Sequence, residues 1–254
     1  MKFKYLYFIL LFALLIGFVF FVSFYRLFFS KSTYIYAKVK VGQGLWWAST
    51  AKSPLWLVNS IKKGDVIKNF NGETEVEVLS VRHFPYFLTQ NLAQNNVSFI
   101  NINQYDIFLN LKIKVSGNKI NGYSFQRSTI GVGAPIDLDF PSAQISGAIT
   151  ELSDKPIVEN FVEKTIFLTK KSTDSNEFYS IKIGQSYFDG ENEVIKIIDK
   201  SFDGSNITIK ALFKLKKESD QLVFGEEEIL AINKIFNFIT SNSIFYNFII
   251  DKIE

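Results

Sequence analysis

Ile61-Lys62-Lys63-Gly64-Asp65, leading to Gly72-Glu73-Thr74-Glu75-Val76, returns later in the chain as Ile181-Lys182-Ile183-Gly184-Gln185 and Gly190-Glu191-Asn192-Glu193-Val194. Both passages read I-K-x-G, a short apolar link, then G-E-x-E-V. Each is followed by a segment of alternating Lys, Ile107 to Val115 and Ile207 to Leu215. Each then ends in a pair of apolar segments, Ile136 to Leu152 and Ile235 to Ile253. A shared order of four elements predicts an internal duplication with copies of about 100 residues.

The copies have the signature of β structure. Tyr34 to Val41, Glu73 to Val78 and Leu111 to Val115 alternate apolar with charged or polar residues. That period of two gives a strand one buried and one wet face. Asn71-Gly72, Asn121-Gly122, Asp189-Gly190 and Asp203-Gly204 are turn dipeptides that accept positive φ. Ser53-Pro54 predicts a short helix to about Ile61, with Ser53 as N-cap. Where the first copy has Gly131-Val132-Gly133, the second has Ala231-Ile232-Asn233. Asn233 is expected to supply the left-handed conformation of Gly133. Glu226 to Ile239 also carries a helical spacing behind three leading acids, but the duplication predicts strand from Ile235 onward. The copies differ most at His83 to Gln104, a long connector in the first that shrinks to about Lys200–Ser205 in the second. A connector that long is usually functional or mobile. Its Phe84, Tyr86, Phe87 and Phe99 predict that it packs down.

Ahead of the duplicated part lies an apolar run. Tyr5 to Tyr25 is twenty-one residues without charge, Pro, Asn or Gln, bracketed by Lys2 and Lys4 and by Arg26 and Lys31. A helix of roughly 20 residues spans a ~30 Å hydrocarbon core. Ser23 is the only small residue in Phe18 to Phe29, which argues against signal cleavage. The expectation is a single-pass signal-anchor over residues 5–25 in a cell membrane, with the C-terminal part outside the cytoplasm. The chain then divides into 1–31, tail and anchor; 32–152, first β unit; and 153–254, second and more divergent β unit. The fold class is mainly β: a transmembrane helix followed by two antiparallel, barrel-like units.

Composition removes several functions. The chain of 254 residues has no Cys and one His, which excludes disulfides, thiolate nucleophiles and multi-histidine metal sites. Beyond residue 31 stand 24 basic and 25 acidic residues, a net of −1 that offers nucleic acid no field. No cofactor motif is present: Gly131 and Gly133 lack the Lys-Ser/Thr of a phosphate loop.

Residues 34–152 resemble an uncharacterised family of bacterial single-pass membrane proteins, a domain of unknown function. The likeness is carried by the apolar N-terminal segment, Val39-Lys40-Val41, Ile61-Lys62-Lys63-Gly64-Asp65, Gly131-Val132-Gly133-Ala134-Pro135 and Ser146-Gly147-Ala148-Ile149. The resemblance implies an envelope location and extracytoplasmic β structure. It implies no catalytic residues, and residues 153–254 depart from it.

Candidate chemistry is sparse. His83 would have to serve any Ser–His–Asp arrangement, but no Gly-x-Ser-x-Gly elbow accompanies it. Asp137 with Asp139, and Glu73, Glu75 and Glu77, share strand faces opposite apolar residues, the pattern of a solvated face. The acids of Asp189–Glu193 are a weak candidate for calcium, without a full ligand loop. Trp46, Trp47 and Trp56 cluster in eleven residues and make a partner-binding patch or a packing element. The resulting expectation is a non-enzymatic, membrane-anchored binding or assembly module of the bacterial envelope, with no metal or cofactor. Its partner is another envelope protein or a second copy, met through Trp46, Trp47, Trp56, His83, Phe84 and Tyr86. The alternatives are an envelope hydrolase acting on cell-wall glycan or peptide, and a structural subunit of a secretion or efflux assembly.

Overall fold

The computed structural model describes residues 11–22, 33–42, 52–92 and 95–254. Residues 11–22 form helix α1. The first unit then contains β1 (Thr33–Val41), β2 (Ser53–Pro54), α2 (Leu55–Ser60), β3 (Val66–Lys68), β4 (Thr74–Leu92), β5 (Asn95–Asn118), β6 (Gly122–Phe125), β7 (Ser128–Ile130), β8 (Pro135–Asp139) and β9 (Gln144–Ser153). The second contains β10 (Phe161–Lys171), α3 (Ser175–Ser180), β11 (Ser186–Phe188), β12 (Glu193–Phe202), β13 (Asn206–Glu218), β14 (Gln221–Phe224), β15 (Glu228–Leu230), β16 (Ile235–Ile239) and β17 (Ile244–Ile253).

The duplication is visible in the hydrogen-bond ladders. One sheet runs β3-β4-β5-β1-β9-β8 and the other β11-β12-β13-β10-β17-β16, all antiparallel and curled into half-barrels. The bulges fall at matching places: Val78/Ser80 with Ile197/Asp199, and Lys38/Val39 with Phe167/Leu168. A bulge bends a strand and increases its twist, so matched bulges produce matched curvature. Asn233 takes φ 67° and Gly133 φ 85°, and each donates its N–H to β17 or β9, at Ile250 and Ile149, 2.8 Å away in both. All four turn glycines named above have positive φ. Glu226 to Ile239 is turn and strand, as the duplication requires.

Each half-barrel closes over its own core. Ile35, Ala37, Val39, Val76, Leu109, Leu111 and Ile113 fill the first, all buried. The second is built around Phe213, Phe236, Phe238, Phe245 and Phe248, with Phe238 and Phe245 stacked at 4.4 Å. Two residues of the first unit, Phe84 and Phe108, belong to this second core.

Two expectations need correction, and a third lies mostly outside the described residues. Ser53 does not cap α2: it pairs with Tyr105 in β2, Pro54 is the N-cap, and no side chain caps the helix. Pro54 lacks an N–H and holds the chain extended there, so the turn tightens only at Leu55. The connector expected at His83–Gln104 is instead a β-arm. β4 and β5 pair onward from His83↔Ile107 to Leu92↔Asn95, with a register shift at Pro85/Phe87 that admits the proline. The membrane span expected at Tyr5–Tyr25 is described only over 11–22, and its flanks lie outside the described residues. Twelve helical residues extend about 18 Å, and among the described residues no helix is long and apolar enough to cross a membrane.

Candidate functional site: the charged seam between the units

The two units meet through charge. Lys38 and Lys40 project from β1 and Arg82 from β4, all on the outer face of the first half-barrel, opposite its core. In an isolated unit that face would be wet. Here the turns of the second unit cover it, and all three residues are at least nine-tenths buried. Arg82 Nε donates to Asp189 Oδ2 at 2.6 Å and its Nη1 to Glu159 Oε2 at 2.8 Å and to Glu226. Lys38 reaches Glu226 Oε2 at 2.9 Å and also Glu159. Lys40 pairs with Glu227 and, at 3.3 Å, with Asp106, which Lys52 holds at 2.8 Å. Lys216 lies 3.6 Å from Glu226. Lys38, Lys40 and Arg82 of the first unit thus face Glu159, Asp189, Glu226 and Glu227 across the seam, and Lys52 with Asp106 on one side and Lys216 on the other extend the network within each unit.

Local folding explains how the acids reach this position. Asp189 opens the β11–β12 turn, where its Oδ1 accepts the N–H groups of Glu191 and Asn192 at 2.9 and 2.8 Å. That leaves Oδ2 for Arg82. The turn's backbone carbonyl accepts the His83 N–H at 2.8 Å. Gly190, at φ 106°, lets the turn touch β4: an added Cβ would stand 2.4 Å from the Val81 carbonyl oxygen. Glu226 and Glu227 lie in the β14–β15 turn, and Glu159 in the segment joining the units.

At Arg82 and Glu226 burial works against the charge, and pairing outweighs it. Burial would lower the Arg82 pKa, but Asp189, Glu226 and Glu159 raise it overall. Burial would raise Glu226, but Lys38, Arg82 and Lys216 bring it below the usual carboxylate range. The Arg82 guanidinium carbon also lies 4.8 Å from the Phe161 ring centre and 5.1 Å from that of Phe84.

The residues expected to bind a partner are dispersed. Trp46 and Trp47 lie outside the described residues. Trp56 is on α2 and about two-thirds exposed. His83, Phe84 and Tyr86 are brought together at the root of the arm. Phe84 is buried against Phe108 and Phe224. His83 Nδ1 is 2.9 Å from the Tyr187 hydroxyl, which itself donates to the His83 carbonyl at 3.0 Å. Burial lowers the His83 pKa, only partly offset by Asp189, and it raises that of Tyr187. Histidine and phenylalanine therefore lock the arm onto the second unit. Tyr86 lines a cavity of about 430 Å³ beside the seam, with Phe84, Phe87, Phe224, Glu228 and Lys234. Burial raises the Glu228 pKa against the pull of Lys234, 3.2 Å away.

Asp189 is spent on Arg82, not on calcium, and among the described residues no group of acids, His or Cys is placed to hold a metal. Asp137 and Asp139 are exposed on β8, as the alternation predicts. Arg82, Lys38, Lys40, Glu159 and Glu226 escaped the reading of the sequence. One signal was present: the turn Gln126–Arg127 of the first copy becomes the longer, acidic Gly225–Glu226–Glu227 in the second, while Lys38 and Lys40 correspond to Phe167 and Thr169 of the second. Complementary divergence between copies marks the surfaces on which they meet.

Comparison of the chain with family models, with curated proteins and with solved structures gives no match to any of them.

Proposed function

We propose that the chain is a non-enzymatic binding or assembly module of the bacterial cell envelope, tethered by residues 5–25 and presenting its two β units outside the cytoplasm. The observation that carries this reading is α1. All twelve of its residues, Leu11 to Val22, are exposed, and none is charged or polar. Large exposed apolar surfaces mark membrane or protein contacts, and the sequence continues apolar on both sides to about the length of a bilayer crossing. A binding role is favoured by the state of the charged groups. Asp106, Glu227 and Glu228, which line the cavity, are each engaged by a lysine. A hydrolase would want one such carboxylate free to exchange a proton with substrate. The exposed Trp56 is the candidate contact for a partner, while His83 and Phe84 set the position of the arm.

The test is membrane flotation together with protease treatment of intact cells. The full chain should float with lipid and its β units should be cut from outside. Leu14→Arg with Phe18→Arg should abolish flotation without altering the β signal in circular dichroism. Full-length chain that stays in the aqueous fraction without detergent refutes the tether. Unchanged partners on pull-down with Trp56→Ala would remove Trp56 from the contact.

A further inference from the structure

The two units are built alike but closed differently. In the second, Ser241 N–H donates to the Ser186 carbonyl at 2.8 Å, tying the turn after β16 to edge strand β11. Gln185 Nε2 adds a bond to Ser243 Oγ at 3.1 Å. The matching turn of the first unit runs from Phe140 to Ala143, with Phe140 N–H on the Ala143 carbonyl as Thr240 N–H is on Ser243. The residue matching Ser241 is therefore Pro141, and Val66 matches Ser186. Proline has no N–H to donate. Among the described residues the bond that crosses this gap is from Ser142 Oγ to Asp65 Oδ2, at 3.3 Å.

A cavity of about 490 Å³ stands between the two edges, lined by Val66, Ile67, Lys68, Asp139, Phe140 and Pro141. Among the described residues β3 pairs only with β4 and β8 only with β9, as β11 and β16 pair only with β12 and β17, so the bond from Ser241 is what bridges the two edges in the second unit. Ile67 and Phe140 are buried there. Asp137 and Asp139 are exposed along β8. With Asp65, three carboxylates flank the opening against Lys68. An unpaired strand edge is a template for another extended chain, whose backbone provides affinity while alternate side chains provide selectivity.

We infer that the open seam between β3 and β8 takes an extended basic segment of a second polypeptide. The segment adds as a strand along Val66–Lys68, sets apolar side chains over Ile67 and Phe140, and turns Lys or Arg toward Asp137 and Asp139. This surface is separate from the membrane tether, so either reading can fail alone.

The test uses the full chain in detergent micelles and a fluorescent pool of decapeptides in which Lys alternates with Val, Ile, Leu or Phe. Anisotropy should show saturable binding that weakens with salt. Pro141→Ser restores the donor present in the second unit; the backbone amide gained at that position should be protected from hydrogen exchange, and peptide binding should weaken at least tenfold. Asp137→Asn with Asp139→Asn should weaken binding and flatten its salt dependence while the seam stays open. The inference is overturned if the wild-type chain does not bind the pool. Equal binding by Pro141→Ser, or free exchange of the amide gained in that variant, also overturns it. Self-association abolished by Pro141→Ser would assign the seam to a second copy and overturn the basic-segment reading.

Discussion

Replacing Arg82 with Met tests the charged seam most directly. The side chain keeps much of its apolar length and loses its bonds to Asp189, Glu159 and Glu226. Glu159 and Glu226 retain Lys38, and Glu226 retains Lys216. Asp189 is completely buried and Arg82 is its cation, so the substitution strands one carboxylate in the interior. Breaking a buried pair from one side costs about 3–5 kcal/mol. For a chain of this size about 1 kcal/mol lowers the midpoint by about 2–4 °C, so the expected loss is roughly 6–20 °C. Asp189→Asn keeps the Oδ1 acceptor for Glu191 and Asn192 and leaves Arg82 with two acids; its cost is about 1–3 kcal/mol. The double variant Arg82→Met/Asp189→Asn strands no charge and should be more stable than Arg82→Met alone. Denaturant unfolding followed by circular dichroism, at low salt and at 1 M salt (about a 3 Å screening length), measures all four corners of this cycle. A loss under about 1 kcal/mol for Arg82→Met would refute the reasoning, since that is the range of an exposed pair. So would a loss that disappears in high salt.

Further outcomes follow from the same geometry. Glu226 has a lowered folded pKa, so its stabilisation is complete above about pH 4.3, the unfolded value, and drains away as pH falls through the folded one. Glu226→Gln should flatten that acid limb in a pH series of melts. His83 also has a lowered pKa, so its contribution is present above about pH 6.5 and is lost as pH falls; His83→Phe should remove that component alone. Gly72→Ala, in open space at φ 80°, should cost about 1–2 kcal/mol, whereas Gly190→Ala, facing the Val81 carbonyl, should cost about 2–5 kcal/mol and loosen the seam, as read by proteolysis between the units. Asn233→Gly should stay within about 0.5 kcal/mol of wild type, while Asn233→Val should lose about 1–3 kcal/mol in the same unfolding assay.

What could be read along the chain was what local chemistry dictates. Turn glycines, period-two strands and a left-handed Asn233 depend on a residue and its near neighbours, and the repetition of these signals disclosed two related units. The same logic misjudged Lys38 and Lys40. Alternation shows which side chains point away from a strand's own core; it does not show whether another body covers them. Phe84 posed the converse problem, since it points away from the first core and enters the second. The arm went unrecognised because Pro85 and the Asn- and Gln-rich stretch around it carry loop composition, while cross-strand pairing with β5 holds them extended.

By itself the sequence determined the apolar N-terminal run, the β class, the duplication and most turns, because each follows from side-chain periodicity or from backbone conformations that few residues tolerate. Tertiary structure alone decided the rest: which outer face became an interior, which acids met which bases, and which unit's turn bonded to its own edge strand. Those outcomes depend on pairings between residues 77 to 188 positions apart, as in Arg82–Glu159 and Lys38–Glu226, and no local pattern encodes such a pairing. One missing amide hydrogen at Pro141 has meaning only beside the Ser241 that closes the other unit.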